Sequence, residues 1–448
     1  MKVLLVEPFI NYPVASSQVG INIGLLSLAS YVNKNLPNEV SFEFFSQQLE
    51  VALGRKKDIE QVLKKTSPDV VAINCISSNF TSALAVANIA KKAGCFVMLG
   101  GIFPTLNASS IIKEEDNIDL IVRGEGEQTF LKIMKSFRSE VNLVSLSHIH
   151  GLTFKRNGQI HNTSDAKLLS PQEISMPDYS LVRINEYKRL NAPASLETAR
   201  GCYFNCKFCS LRDFWQHCCR MKPIQNVLDE LYELKYRFGF KNIMFIDDTF
   251  TLDRKRVLSL CDRIIEEKLE MQYSVLTRID IVDALILNRM HEAGVRKILF
   301  GVEHINPEIL LSMGKVTSLA ETSKWKNVAS KNIQLASDIG FEVNPVYVLG
   351  WPHENNTTLQ ELADFIISNM RKNVIPYLSF VTPHPGTRLW KEAPNLGLKI
   401  VERDLNKYTH LYPVSVPLSL GPDAQQKLIS AYNSIVRKTS SEDQNPII

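Results

Sequence analysis

The sequence predicts an α/β protein with a doubly wound, Rossmann or flavodoxin-like N-terminal domain, a partial (β/α)6 TIM-like barrel and a short helical C-terminal tail. Short β-rich apolar runs alternate with amphipathic segments along most of the chain, as in parallel sheets covered by helices. The alternation weakens between about residues 137 and 194 and then resumes. A chain of 448 residues with 45% hydrophobic composition is long enough for two or three domains.

The first domain is predicted over residues 1–136. Its predicted strands are KVLLVEP, VSFEFF, DVVAINC, CFVMLGG and LIVRGEG, with helix-like segments such as GINIGLLSLASYVNK between them. Ligands of such sheets bind at the carboxyl ends of the strands. The residues at these ends are Glu7, Pro8, Ser77, Ser78, Asn79, Gly100, Gly101, Ile102, Phe103, Pro104, Thr105, Gly124, Glu125, Gly126 and Glu127.

A connector with a small hairpin, HIHGLTFKRNGQIHNTS, is predicted within residues 137–194. Residues 195–399 then predict the barrel, whose active site lies at the strand carboxyl ends. Its six predicted strands are ASLETARG, NIMFIDD, YSVLTRI, KILFGVE, FEVNPVYVLG and PYLSFVTP. The tail, residues 400–448, contains one predicted helix, AQQKLISAYNSIVRK.

Composition excludes several classes of function. The formal net charge is only +4 with scattered basic residues, which gives nucleic-acid binding no support. No eighteen uncharged apolar residues run together, and Glu7 and Pro8 end the first apolar run before a signal sequence forms. We therefore expect a cytoplasmic protein without membrane contact, in which clustered thiols indicate a metal site or catalysis rather than disulfides.

Three cysteines, Cys202, Cys206 and Cys209, fall in the loop after the first predicted barrel strand. Structural zinc sites usually have four ligands, and the next cysteines, Cys218 and Cys219, are adjacent to each other and poorly placed to chelate one ion. Three thiolates suit a [4Fe-4S] cluster that leaves one iron open for a ligand. A zinc knuckle is the alternative interpretation.

The motif CYFNCKFC resembles the CxxxCxΦC signature of the radical S-adenosylmethionine (SAM) superfamily, with aromatic Phe208 before the last cysteine. The resemblance implies that Cys202, Cys206 and Cys209 hold the cluster. It also implies that the open iron binds the amino and carboxylate groups of SAM. Reductive cleavage of SAM would then yield a 5′-deoxyadenosyl radical.

The later motifs match that superfamily in order: FIDDTFT, LTRID, FGVEHINPEIL with its trailing MGK, LGWPHE and TPHPGTRLW. The resemblance implies that Asp247 or Asp248 approaches the SAM amino group. Arg278 would bind the SAM carboxylate and Glu303 the ribose hydroxyls. These roles agree with charge, because a carboxylate suits an ammonium or a vicinal diol and arginine suits a carboxylate. Each residue taken singly could instead be a surface or salt-bridged residue.

The N-terminal domain resembles the cobalamin-binding domain found in front of many radical SAM enzymes. The similarity rests on PDVVAINCISSNFTSA, LGGIFPT and LIVRGEGEQTF. Two glycines in LGGIFPT allow close approach of the backbone to a large ligand. The alternative is a flavodoxin-like domain whose glycines only make turns. The residues that the resemblance assigns to the cofactor are Ser77, Ser78, Asn79, Gly100, Gly101, Phe103, Pro104, Thr105, Gly124, Glu125, Gly126 and Glu127.

One departure concerns the cobalt ligand. The wider cobalamin-binding pattern supplies a histidine from a DxHxxG motif, but neither that motif nor any histidine occurs in residues 1–147. Bound cobalamin is therefore expected to be base-off with no histidine ligand. The same absence leaves open that cobalamin binding has been lost.

Four further side chains are candidates for substrate contact. Cys218 and Cys219 follow the cysteine loop, and His217 and His384 lie near strand-end motifs. Each of the four could equally be a structural residue.

The expected function is a cobalamin-dependent radical SAM enzyme that methylates an unactivated carbon of a small-molecule, peptide or natural-product substrate, with an external electron donor such as flavodoxin or ferredoxin. A cyclisation, oxidation or rearrangement needs the same motifs and stays open. A methylthiotransferase fits less well, since only Cys75 and Cys95 precede the barrel. A non-catalytic cobalamin or redox sensor is the alternative from another class.

Overall fold

The computed structural model describes residues 1–10, 19–56, 58–137 and 146–439. The chain forms two compact units. The first contains residues 1–195 and 213–230, and the second contains residues 196–212 and the chain from residue 231 onward.

The described residues form strands and helices in regular alternation. The strands are β1 Lys2–Glu7, β2 Ser41–Ser46, β3 Val70–Asn74, β4 Phe96–Gly100, β5 Leu120–Val122, β6 Leu152–Arg156, β7 Gln159–Asn162, β8 Ala194–Leu196, β9 Ala199–Arg200, β10 Arg220–Met221, β11 Asn242–Phe245, β12 Gln272–Arg278, β13 Val295–Glu303, β14 Glu342–Leu349, β15 Tyr377–Phe380, β16 Leu398–Ile400 and β17 Ser415–Pro417. The helices are α1 Ile23–Asn35, α2 Gln47–Ala52, α3 Ile59–Thr66, α4 Phe80–Lys92, α5 Ile102–Glu114, α6 Glu127–Ser136, α7 Ile184–Arg189, α8 Leu211–Phe214, α9 Ile224–Tyr232, α10 Arg254–Glu266, α11 Ala284–Glu292, α12 Pro307–Met313, α13 Leu319–Ile339, α14 Asn356–Ser368, α15 Arg388–Glu392 and α16 Ala424–Thr439.

The first unit is built on a seven-stranded sheet of order β2-β1-β3-β4-β5-β6-β7. Strands β1 to β5 pair in parallel, and β6 and β7 add to the edge in antiparallel orientation. The five parallel strands are those that the apolar runs predict. The hairpin predicted within the connector is β6–β7, so part of residues 137–194 continues the first sheet.

The core of the first unit lies between the sheet and its helices. Helix α1 begins at the N-cap Asn22, whose side chain accepts a hydrogen bond from the Leu25 amide. Its buried face, including Leu25 and Val32, joins one apolar cluster with Phe130 and Ile133 of α6. Burial of these side chains stabilises the unit by about 25 cal/mol per Å² of apolar surface.

The second unit contains a six-stranded sheet of order β15-β14-β13-β12-β11-β8. Neighbouring strands from β11 to β15 pair in parallel. Within the described residues the sheet does not close on itself, which is the partial barrel that the sequence predicts. The hairpin β16–β17 and helix α16 follow it.

No helix in the described ranges combines the length and the apolar character that a membrane span requires.

Gly101 follows β4 and adopts a φ of 108°. A Cβ there would lie 2.5 Å from the Cys75 carbonyl oxygen. We expect Gly101→Ala to destabilise the first unit by about 3 kcal/mol or more, because the backbone must move as well as adopt a left-handed conformation. Gly54 is the matched control: its φ is 66° and a Cβ meets nothing within 4 Å, so Gly54→Ala should cost only about 1–2 kcal/mol. Denaturant titration measures both, and equal losses would contradict the steric argument.

Candidate functional site

The candidate site of the second unit lies at the carboxyl ends of its parallel strands. Asp247 and Asp248 follow β11, Arg278 ends β12 and Glu303 ends β13. These three strands are neighbours in the sheet, so the residues that the motifs single out share one edge, where barrel enzymes carry their active sites. The loop with the three cysteines begins directly after β9.

Two carboxylates hold the start of the cysteine loop. Asp247 accepts hydrogen bonds from the Thr198 amide at 2.6 Å and the Ala199 amide at 3.3 Å. Asp248 accepts one from the Gly201 amide at 3.0 Å. Because residues 201–206 form no helix or strand, these bonds determine where the loop leaves the sheet.

The other end of the loop rests on α12. The Lys207 amide donates to the Met313 carbonyl at 2.8 Å. Gly314 caps the helix in the left-handed conformation, and a Cβ there would lie 2.6 Å from the Asn205 carbonyl oxygen. Glycine therefore permits the close approach of loop and helix end.

Burial raises the pKa of Asp247 to about 6, although its hydrogen bonds with Thr198 and Ala199 and the charge of Arg256 favour the ionised form. The side chain is 3% exposed. Sequence motifs propose Asp247 or Asp248 as the partner of the SAM amino group. In the structure Asp247 accepts the amides of Thr198 and Ala199 just before the cysteine loop, and Asp248 accepts the Gly201 amide at its start, so both carboxylates support the chain where the loop begins.

Arg278 lies beside the cysteines. Its guanidinium pairs with Asp280 through two contacts of 2.9 Å and donates to the Lys315 carbonyl at 2.7 Å. Its Nη1 is 3.8 Å from Cys206 Sγ, and its Cζ is 3.8 Å from the centre of the Phe204 ring. These contacts fix the planar Arg278 guanidinium on several sides at the end of β12.

Glu303 pairs with a lysine that sequence analysis did not assign to the site. Lys315 Nζ lies 3.0 Å from Glu303 Oε1, and their side chains are 4% and 11% exposed. A Cβ on Gly301 would lie 2.7 Å from Glu303 Oε1 and 3.0 Å from Lys315 Nζ, so glycine leaves room for the pair. Lys315 is the last residue of the MGK motif at the end of α12. That motif is the feature of the sequence from which a role for Lys315 in the site could have been predicted.

The surroundings of the loop fit a thiolate-bound cluster. Burial raises the pKa of the Cys206 thiol, and the positive charges of Lys315 and Arg278 oppose that rise. Such charges stabilise an anionic sulfur ligand. No group of three His, Cys, Asp or Glu side chains in the described ranges is already arranged to hold a metal ion. Ligation by Cys202, Cys206 and Cys209 thus stays a prediction supported by chain position and charge.

Phe208, the aromatic residue before the third cysteine, packs into the second unit. Its ring meets that of Trp351 edge to face at 6.1 Å between centres, next to a buried cluster that includes Ile309 and Met313. Phe208 therefore helps to seat the loop on the residues that follow β14. Contact with SAM stays a prediction.

In the first unit, the predicted cofactor residues gather at the carboxyl ends of β3, β4 and β5, which are neighbours. Ser77–Asn79 form a buried 3₁₀ turn, and Phe103 packs on Phe80 with ring centres 4.9 Å apart. Thr105 Oγ1 donates to the Gly101 carbonyl at 2.7 Å and accepts from the Gly124 amide at 2.9 Å. The other members of this predicted set on the same edge are Ser78, Gly100, Pro104, Glu125, Gly126 and Glu127.

Glu125 has a partner that the sequence did not indicate. Its carboxylate lies 2.8 Å from Arg220 Nη1 and accepts the Leu169 amide at 2.6 Å. The side chains of Glu125 and Arg220 are 2% and 7% exposed, so this is a buried, hydrogen-bonded ion pair. A contact of Glu125 with cobalamin stays a prediction.

Glu7, at the end of β1, lies in a polar network. Ser46 Oγ donates to Glu7 Oε2 at 2.5 Å and Asn22 Nδ2 donates to Oε1 at 3.3 Å. Burial raises the pKa of Glu7 to about 7, against the effect of these two bonds. The network lies where β1 meets its neighbours β2 and β3, the point at which the strand order of the sheet reverses.

The four candidate substrate contacts from the sequence do not all lie in one unit. Cys218 and Cys219 are half-buried and lie in residues 213–230, which belong to the first unit. His217 Nε2 is 3.7 Å from Asp213. His384 Nε2 lies 3.3 Å from His410 Nε2, a pairing that no sequence motif indicated. Functional roles for Cys218, Cys219, His217 and His384 stay predictions.

Comparisons with known proteins define the class. Residues 196–366 match the Radical SAM superfamily, and residues 14–134 match the B12 binding domain. The B12-binding match includes strands β2 to β5 of the first sheet, and the Radical SAM match includes strands β11 to β14 of the second. The fold and the cysteine loop thus define a radical SAM protein with a B12-binding domain.

Individual relatives extend this match along the chain. An uncharacterized methyltransferase of Pyrococcus horikoshii is 31% identical over 422 residues, covering 92% of this chain and 87% of that protein. The anaerobic magnesium-protoporphyrin IX monomethyl ester cyclase of Rubrivivax gelatinosus is 26% identical over 435 residues, covering 93% and 74%. The structure of the radical SAM methyltransferase TsrM from Kitasatospora setae superposes with a TM-score of 0.78 at 16% identity, covering 99% of this chain and 90% of that one.

The chain belongs to the radical SAM enzymes that carry an N-terminal cobalamin-binding domain. The predicted family, fold class and cofactor set of [4Fe-4S] cluster, SAM and cobalamin are confirmed at this level. The base-off state of cobalamin and the individual site residues stay predictions.

Anaerobically reconstituted protein should bind about four irons and four sulfides, as expected for one cluster on three thiolates. The triple variant Cys202→Ala, Cys206→Ala, Cys209→Ala should bind almost none. The double variant Cys218→Ala, Cys219→Ala is the control and should keep full iron content. Iron that survives the triple change and disappears in the double variant would contradict the assignment.

Glu7 should make stability depend on pH. Its folded pKa of about 7 exceeds the ordinary 4.5, so stability is undiminished below pH 4.5, falls as pH rises toward 7 and levels off above it. Glu7→Gln should therefore become more stable than the parent by about 1–3 kcal/mol between pH 5 and pH 8. Glu43→Gln, at an exposed position on β2, should show no such pH-dependent difference. A flat difference for Glu7→Gln in denaturant titrations would refute the argument.

Proposed function

We propose that this protein is a cobalamin-dependent radical SAM methyltransferase acting on an unactivated carbon of a small molecule, peptide or natural-product intermediate. The observation that carries the proposal is the 31% identity, over 92% of this chain, to a relative named as a methyltransferase. The cysteine loop at the carboxyl edge of the sheet supports it from the chain's own residues.

When bound, the cluster and SAM supply a 5′-deoxyadenosyl radical, and methylcobalamin supplies the methyl group. The second unit would orient the cluster and SAM. Cys202, Cys206 and Cys209 would hold the cluster, with Arg278 and Lys315 placing positive charge beside Cys206.

Contacts to SAM follow from charge and position. Asp248 and Arg278 would receive its amino and carboxylate groups, and Glu303 its ribose hydroxyls. Asp247 would act through the loop that it anchors. Lys315 would direct the Glu303 carboxylate through the contact between Lys315 Nζ and Glu303 Oε1.

The first unit would hold cobalamin at the edge formed by β3, β4 and β5. Gly100, Gly101 and Gly126 have no side chain there, and the Thr105 hydroxyl is bonded to the Gly101 carbonyl, so a large ligand can approach the strand ends. Because residues 1–147 contain no histidine, the cofactor would be base-off without a histidine on cobalt.

A cyclase is the second candidate function. The relative from Rubrivivax gelatinosus, a cyclase by name, matches 93% of this chain, and a cyclisation would use the same cluster and SAM residues. For either reaction we propose a cytoplasmic setting and an external reductant such as flavodoxin or ferredoxin, because the cluster must be reduced before SAM is cleaved.

The deciding experiment counts products. With SAM, reductant, cobalamin and a panel of small molecules and peptides, methylation should yield 5′-deoxyadenosine and S-adenosylhomocysteine in about equal amounts, because each turnover uses one radical and one methyl group. Cys206→Ala should abolish 5′-deoxyadenosine, and omission of cobalamin should abolish methylation. Altered substrate with 5′-deoxyadenosine but no S-adenosylhomocysteine would reject the methyltransferase and favour the cyclase.

A further inference from the structure

His304 and Glu354 form a completely buried pair beside the candidate site. His304 Nε2 lies 3.0 Å from Glu354 Oε1, and both side chains are 0% exposed. His304 comes directly after β13, and Glu354 belongs to the loop after the neighbouring strand β14. The pair therefore joins two adjacent strand ends through side chains fifty positions apart.

The hydrogen bonds assign the protonation of this pair. The Asn306 amide donates to His304 Nδ1 at 2.9 Å, so Nδ1 carries no proton. His304 must then hold its proton on Nε2 and donate it to Glu354. Glu354 also accepts the Gly350 amide through its other oxygen. The His304 ring and the Glu354 carboxyl group are thus held in one fixed orientation relative to each other.

Glu303, the residue before His304, has an unusual backbone. Its φ is 65°, a left-handed value uncommon for residues other than glycine. The register between β13 and β14 shifts between Gly301 and Glu303, as at a β-bulge that redirects a side chain. Such backbone persists only where surrounding contacts enforce it, and the buried ring of His304 is the adjacent anchor.

We propose that the His304–Glu354 pair is a positioning device that holds Glu303 in its left-handed conformation and so sets the affinity for the adenosyl group of SAM. The inference rests on the proposed function for the role of Glu303, but the anchoring itself depends only on the contacts above. Neither His304 nor Glu354 is required to touch SAM.

Two substitutions of His304 test the hydrogen bonds of its two ring nitrogens separately. His304→Gln can keep a donor near the Nε2 position, whereas His304→Asn keeps an acceptor near Nδ1 and loses the bond to Glu354. We expect His304→Asn to weaken SAM binding to the reconstituted protein about tenfold or more, and His304→Gln to weaken it much less. Equilibrium dialysis with SAM measures both. His291→Asn, a half-buried histidine on α11 packed on Phe341, is the control and should leave SAM affinity unchanged.

A double-mutant cycle tests whether the pair acts through Glu303. In a Glu303→Ala background, His304→Asn should have no further effect on the SAM Kd. A full, additive loss in that background would overturn the proposal, as would equal effects of His304→Asn and His304→Gln.

Hydrogen exchange of the protein without SAM gives a second readout. His304→Asn should raise exchange at the Gly350 amide, which bonds to Glu354, more than His304→Gln does. His304→Gln should raise exchange more at the Asn306 amide, which bonds to His304 Nδ1. If the parent protein fails to bind SAM, the proposed function fails, while this exchange pattern still decides whether the pair anchors the two loops. Unchanged exchange in His304→Asn would reject the anchoring.

Discussion

The candidate site depends on how an irregular cysteine loop is held at the edge of a sheet. Residues 201–206 lie in no helix or strand, and two aspartates after β11 fix the start of this segment by accepting the amides of Thr198 and Gly201. A buried carboxylate is costly unless several donors satisfy it. The amides of Thr198 and Ala199 satisfy the Asp247 carboxylate, and Asp247 in turn fixes the chain just before the loop. The adjacent features, from Gly314 at the far end to Arg278 beside Cys206, are arranged around this position.

Charge at this edge is organised in pairs. Arg278 is matched by Asp280, and Lys315 by Glu303, so cations stand near the thiols without being isolated in a buried place. Each pair also orients its side chains. The planar Arg278 guanidinium is held by Asp280 and the Lys315 carbonyl, and the Glu303 carboxylate is directed toward Lys315. The polar groups at this edge are thus held by contacts within the chain, which lowers the reorganisation that binding requires.

Sequence alone predicts the sheets well, because apolar runs and their period depend on local chemistry. The strands and the cluster of DD, TRID and GVE motifs at strand ends follow from that pattern. It does not reveal which donor faces which acceptor. The motifs predict that Asp247 or Asp248 approaches SAM, but they do not indicate that Asp247 accepts the amides of Thr198 and Ala199. The pairs His304–Glu354 and Glu125–Arg220 join residues 50 and 95 positions apart, and only the folded topology brings them together.

The segment 213–230 also bears on how such an enzyme can be divided or recombined. It follows the cysteine loop in the chain, yet it belongs to the first unit and supplies Arg220 to the buried Glu125. A fragment cut at residue 195 would leave that carboxylate enclosed without its guanidinium. The two units are consequently not exchangeable modules joined by a simple linker. A chimaera that takes its first unit from one relative must take residues 213–230 from the same parent, so the two chain segments that make up this unit are expected to evolve together.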